Sequence, residues 1–459
     1  MKKVKTKKQK TKNVVELPVV NPYSAGIDIG DTLDVVAVAE GLSTERVRSF
    51  GTMTCDLTAI ADWLDECEID TIAMESTGVY WKPLFSLLIS RGFEVYLVNA
   101  AHAKNITGRK DDENDAMWIQ KLHSCGLLSS SYLPEDEQET LRTIVRFRRI
   151  LTQDSIRCIN RIQKSLELMN IKFHTVISDI VGETGQAVLK AIIAGEREAK
   201  NFLPLIGYRI KADKDTIVKS LEGNWREEHL YTLRECYSMY LYYRERIEAA
   251  DKEIEKQLQK IEAKTNEGVI EVKRDGPQEN PVIKIKKGKD KNHPKMDVRS
   301  YLERIHGTDV LAIYGLSDIG GLELLGETGT DLSKWKTDKK FVGWLNLCPN
   351  NKISGGKPIS SHVMKKKPNT ASQAFKHAAN SVQKSDHWLG DYFRRMKAKG
   401  GNKYAITATA AKIARIYYKM VTQKEAFKPI ELSKYQENYK AKKIAYLERK
   451  LALLKQEAA

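Results

Sequence analysis

Ala25-Gly26-Ile27-Asp28-Ile29-Gly30 is a short apolar run broken by a single carboxylate. The run predicts a buried strand, and a carboxylate buried there without a partner carries a heavy desolvation cost. Asp28 is therefore either a hydrogen-bonded acid facing a turn or a member of a site. Working outward, Asp34-Val35-Val36-Ala37-Val38-Ala39 reads as a second strand and Arg46–Gly51 as a third. Leu57–Cys67 reads as a helix with Ile60, Leu64 and Cys67 on its apolar face. Asp70-Thr71-Ile72-Ala73-Met74-Glu75 is another strand, ending in an acid and followed by Ser76-Thr77-Gly78. A helix over 80–91 and the strand Glu94–Val98 complete an α/β alternation.

A second acidic stretch lies beyond it. Gly108-Arg109-Lys110-Asp111-Asp112-Glu113-Asn114-Asp115-Ala116 precedes an apolar run (Met117, Trp118, Ile119, Leu122) spaced like a helix. Its acids fall in the first turn, where the free N–H groups and helix dipole favour negative charge. Asp112 and Asp115 are three apart and share one helical face. Taken alone, this is an acid-rich helix start. With Asp28 in the first strand and Glu75 ending a later one, it predicts a ribonuclease-H-like domain with four carboxylates. Sites at strand ends are the habit of open α/β sheets. Hard oxygen ligands of this kind suit magnesium or manganese.

The 459 residues suffice for two or three domains. The net charge of +16, from 76 Lys and Arg against 60 Asp and Glu, points to a polyanionic partner, with nucleic acid the default. No apolar run approaches the ~20 residues of a membrane span, and nothing after the Lys-rich start resembles a signal peptide. The six cysteines lack CxxC spacing and the nine histidines form no HxxxH pair. The expectation is a cytoplasmic, nucleoid-associated protein with reduced thiols and no zinc site.

The expected organisation runs as follows. Residues 1–20, with seven lysines by position 12, form a basic disordered arm; 21–135 form the α/β domain. Residues 136–263 are helical. In their first helix Leu141, Ile144, Leu151, Ile162, Leu166 and Met169 trace an apolar stripe, crowded by arginines that include Arg146 and Arg149, expected nucleic-acid contacts. Leu233, Tyr237, Tyr240, Ile247, Ile254, Leu258 and Ile261 step by threes and fours as in a coiled coil, with Arg244 and Asp251 interrupting the seam. That seam closes either on the earlier helix, as an antiparallel hairpin, or on a second copy. A basic linker at 264–300 leads to a mainly α domain at 301–425 and a last helix within 426–459, with Ile444, Leu447, Leu451 and Leu454 on one face.

The 301–425 domain holds the other chemical stretch. Tyr314-Gly315-Leu316-Ser317-Asp318-Ile319-Gly320-Gly321 reads as a loose helix–hairpin–helix, whose N–H groups can hold DNA phosphates. Further on, Ser354 precedes Gly355-Gly356, flanked by Lys352 and Lys357, with Lys365, Lys366 and Lys367 beyond. On residue chemistry alone this is a Ser-Gly-Gly turn in a DNA-binding loop. A nucleophilic serine needs activation, and His362 is the one local base.

The two stretches together resemble the IS110 family of insertion-sequence transposases, closest to its IS1111 branch. The likeness covers nearly all of residues 22–425. It rests on GIDIG with Asp28, AMESTG with Glu75, RKDDENDAMWI with Asp112 and Asp115, ETGTDLSKW, FVGWLNLCPNNKISGGK with Ser354, and AITATAAKIARIYY. The resemblance implies a RuvC-like nuclease domain binding magnesium (or manganese) through Asp28, Glu75, Asp112 and Asp115, and a transposase domain whose catalytic serine is Ser354. It also implies DNA ends as substrates, a structured guide RNA from the element's own non-coding end, and homodimers that pair into tetramers. Asp111 stands where the family usually has Thr or Ser, which leaves it an alternative ligand to Asp112. Three readings follow: a recombinase with a phosphoserine–DNA intermediate, a Holliday-junction-type nuclease using metal-activated water, or a non-catalytic nucleic-acid scaffold.

Overall fold

The structure is a computed structural model, and it describes residues 18–98, 112–134, 136–266, 292–362 and 369–457. The chain divides into two compact units, 1–133 and 134–459.

The first unit is built on a five-stranded sheet of order β3-β2-β1-β4-β5. Its strands are β1 (Ser24–Ile29), β2 (Asp34–Val38), β3 (Val47–Phe50), β4 (Thr71–Glu75) and β5 (Glu94–Val98). β1, β2 and β3 form an antiparallel meander, and β1, β4 and β5 run parallel. The parallel pairs need crossovers, supplied by α1 (Thr54–Glu66) and α2 (Trp81–Ser90). On one face Ala25, Ile27, Ile29, Ile72 and Met74 pack with Ile60, Leu64, Leu84 and Leu88 of the two crossover helices. The other face is covered by α3 (Asp112–Ser124), through Ala73 and Val98 against Ile119 and through Val35 and Ala37 against Ala116. This mixed sheet between helical layers is the ribonuclease-H-like architecture expected of the first domain.

The second unit is mainly helical. α4 (Asp136–Leu168) and α7 (Glu227–Asn266) flank a bundle containing α5 (Glu183–Ile193) and α6 (Lys214–Leu221). Leu151 meets Ile247 and Ala250, whereas Ile162 and Leu166 share a core with Leu230 and Leu233. α4 and α7 thus run antiparallel within one chain, and Leu233 and Ile247 of the α7 stripe lie in cores that α4 shares. The seam's polar Asp251 is buried against Arg148. Beyond residue 292 come α8 (Val298–His306), α9 (Asp318–Thr328) and α10 (Asp338–Trp344), then α11 (Thr370–Ser381), α12 (Trp388–Gln423) and α13 (Leu432–Glu457). Gly320 and Gly321, the glycines of the helix–hairpin–helix reading, are buried in α9, and a β-carbon on Gly321 would stand 2.5 Å from Leu302. Between α10 and α11 lies one antiparallel hairpin, β6 (Asn350–Ser354) and β7 (Lys357–His362), which the mainly helical reading of this domain did not contain.

Candidate active site

Strand register brings the first two acids together. Ile27 pairs with Met74 across the parallel β1–β4 ladder, so Asp28 and Glu75 follow side by side where the pairing ends. Alternation along β1 puts Gly26 and Asp28 on the face opposite Ile27 and Ile29. That face receives α3, and Gly26 is where the helix crosses: a β-carbon there would lie 2.2 Å from the Gln120 nitrogen and 2.5 Å from the Ala116 oxygen. The helix is further held by Gln120, whose Nε2 donates to Ser24 Oγ at 3.2 Å and whose Oε1 accepts from Arg46 at 3.2 Å. Asp112 and Asp115 sit in its first turn.

The charges of the other three carboxylates reach Asp28. Burial, then the charges of Glu75, Asp112 and Asp115, raise the Asp28 pKa from 3.8 to about 6, against the opposing hydrogen bond from the Ile29 N–H. The Thr77 hydroxyl donates to Glu75 Oε1 at 3.2 Å and orients that carboxylate. Asp34, which the sequence reading did not single out, lies opposite Ile29 in the register and accepts from the Gly30 N–H at 3.2 Å. It closes the β1–β2 turn, and burial pushes its pKa up to about 6. A signal for it existed: it is a second acid opening an apolar strand.

Among the described residues, no three of His, Cys, Asp and Glu stand close enough to hold a metal ion between them. Asp111, the alternative ligand, lies outside the described residues. The donor chemistry nevertheless fits a hard divalent cation, since the four groups are all carboxylates. The raised proton affinity of Asp28 comes first from burial and then from three neighbouring negative charges, the part that such a cation would neutralise.

Ser354 belongs to the other unit. It ends β6 and pairs with Lys357, the first residue of β7, across the two-residue turn Gly355-Gly356. Both glycines have left-handed backbones, with φ of +54° and +74°, as a tight hairpin turn demands. Ser354 is exposed at this tip, and Lys352 lies two residues before it in β6. Lys365 and Lys366 lie outside the described residues. Arg146 and Arg149 are engaged within the unit. Arg146 Nε and Nη2 donate to the two oxygens of buried Glu327 at 2.7 and 2.8 Å. Arg149 stands 3.7 Å from Glu323, whose pKa is raised chiefly by burial. These pairs join α4 to α9.

Among the described residues, no helix is long and apolar enough to cross a membrane. Compared with known families, residues 25–171 match the transposase model DEDD_Tnp_IS110, and residues 308–394 match the model of the Transposase IS116/IS110/IS902 family. Together they span about half of the chain. A search of curated proteins finds no match.

Proposed function

Since the chain belongs to the IS110 family of transposases, its reaction is the cutting and transfer of DNA strands, and we propose that it mobilises its own insertion sequence through Asp28, Glu75, Asp112, Asp115 and the hydroxyl of Ser354. The observation that supports this reading is the position of Asp28 beside Glu75 at the end of the β1–β4 pairing, with its pKa raised to about 6 first by burial and then by the charges of Glu75, Asp112 and Asp115. The family's DEDD domain implies a divalent metal, and the proposed ion is magnesium or manganese, held by those four residues. When bound, it supplies Lewis-acid stabilisation of charge at a phosphodiester.

The chain's own residues do the rest. The Ser354 oxygen attacks a DNA phosphorus, forming a phosphoserine ester as the bond to the leaving sugar oxygen breaks, and that oxygen departs as a hydroxyl. Rejoining is the reverse, with a second DNA hydroxyl displacing the serine. One phosphoester bond is exchanged for another, so no high-energy cofactor is consumed. The two-glycine turn leaves Ser354 exposed, and Lys352 and Lys357, close to it in sequence, add positive charge to this stretch. The family likeness further supplies a structured guide RNA and dimers pairing into tetramers, and the net charge of +16 suits a second polyanion.

The test is chemical trapping. A reaction stalled on a nicked substrate should contain protein–DNA adduct that survives denaturation, and Ser354→Ala should eliminate both adduct and product. Loss of a mere phosphate contact costs about 1–3 kcal/mol, leaving activity reduced roughly ten- to a hundred-fold. Residual cutting by Ser354→Ala, with no adduct from the wild type, would establish the metal-water nuclease instead.

A further inference from the structure

The β6–β7 hairpin carries two isoleucines that its fold leaves bare. Ile353, directly before Ser354, is 65% exposed, and Ile359 is 71% exposed. The register shifts between Lys352 and Ile353: Lys352 pairs with Ser360 and Ile353 with Pro358, so Ile359 is the extra residue of a bulge. Bulges bend a strand and re-aim its side chains. The tip also stands clear of the rest of the unit, because a β-carbon on Gly355 or Gly356 would meet no atom within 4 Å. Two β-branched apolar side chains are thus presented to solvent on the hairpin that carries the serine, one before it and one after it in the chain.

The surrounding charge selects the partner. From Lys339 to Ser385 the chain carries nine lysines and no acid. Such a segment is matched by a polyanion. Duplex DNA offers phosphates for the lysines and an apolar base stack for the isoleucines, and Ile is among the residues that enter base steps as wedges. We propose that the hairpin is such a wedge: Ile353 and Ile359 enter a base step of duplex DNA beside the phosphate addressed by Ser354, and partly unstack it. The choice of step rests on the reading of Ser354 as nucleophile; the wedging does not.

The probe is a duplex spanning the element's terminal junction, with 2-aminopurine placed at successive steps and the full chain added. Wild type and Ser354→Ala should both raise the fluorescence several-fold at one step. The double variant Ile353→Ser/Ile359→Ser should not, whereas Ile353→Met/Ile359→Met, which keeps apolar bulk, should. The serine variant should also lose tenfold or more of its adduct formation on matched duplex, and recover it when that step carries a two-base mismatch. Absence of any unstacking signal from wild type overturns the proposal, as does full activity of the serine variant on matched DNA. A change in its sedimentation mass, without rescue by the mismatch, would show that the tip docks on protein and rejects the wedge. If Ser354→Ala still makes product, the nucleophile reading fails, while the fluorescence result still decides the wedge.

Discussion

Gly26 lies so close under Gln120 that a β-carbon at position 26 would stand 2.2 Å from the Gln120 backbone nitrogen. Backbone cannot yield as a flexible side chain can, so the distance between β1 and α3 depends on a missing methyl group. Gly26→Ala should move α3 off the sheet, and with it Asp112 and Asp115 away from Asp28. Overpacking of this kind costs about 1–3 kcal/mol, which urea denaturation of the variant should register. DNA cutting should fall further than the stability loss explains, because two of the four carboxylates shift. Unchanged stability and activity would mean that the helix relaxes without consequence.

In the second unit the decisive polar contact is Arg148 with Asp251, their side chains 4% and 6% exposed. Arg148 Nη2 also donates to the Asn292 carbonyl at 2.9 Å, so the pair ties α4 and α7 to the chain entering the second half of the unit. Removing either partner leaves a charge buried alone, and Arg148→Met or Asp251→Leu should each cost about 3–5 kcal/mol. The double variant should lose much less than the sum of the two. A denaturant double-mutant cycle measures this, and additive losses would show that the ion pair has no coupling.

His123 makes stability depend on pH. It is buried, its Nε2 lies 2.9 Å from Thr71 Oγ1, and its ring packs 4.8 Å from that of Tyr96. Burial lowers its pKa from 6.5 to about 4, against an opposing pull from Glu94. Between those two values the unfolded chain binds the proton and the folded chain does not. The stabilisation is therefore complete above pH 6.5 and drains away as the pH falls towards 4. At about 1.36 kcal/mol per unit this amounts to roughly 3 kcal/mol. Asp34, with its pKa raised, acts in the opposite direction over much of that window, so the clean measurement is the difference between wild type and His123→Gln. That difference should shrink on acidification, and a constant difference would refute it.

Sequence alone reaches Asp28, Glu75 and the acidic start of α3, because a charge inside an apolar run or at a strand end is conspicuous without coordinates. It also reaches the stripes of α4 and α7, whose periodicity is local. What it misses is long-range. The pairing of Arg146 with Glu327 spans 181 positions, so the arginines of α4 show in the sequence only as positive charge. The service of Gly26 to α3 is likewise invisible, since glycine in a strand has many uses. The β6–β7 hairpin hides because its strands are short and polar, and the left-handed turn at Gly355 and Gly356 announces itself only weakly.

The carboxylate cluster should cost the fold stability that one substitution restores. Asp28 is half-buried and feels the charges of Glu75, Asp112 and Asp115. Asp28→Asn keeps the shape and removes one of four repelling charges. In EDTA the variant should be more stable than wild type by about 1 kcal/mol after allowance for solvent screening, a rise in melting temperature of about 4 °C for a unit of this size. Such gains at functional sites come with lost activity, and recombination should disappear. Magnesium separates the two effects: a cation that binds only the folded state raises its melting temperature, so wild type should gain on titration and Asp28→Asn should gain little. Glu75→Gln should behave alike, whereas Asp31→Asn, in the exposed β1–β2 turn, should change neither the EDTA melt nor the magnesium response. A variant at Asp28 that keeps the full magnesium response, or melts lower than wild type in EDTA, would show that the four acids do not act as one site.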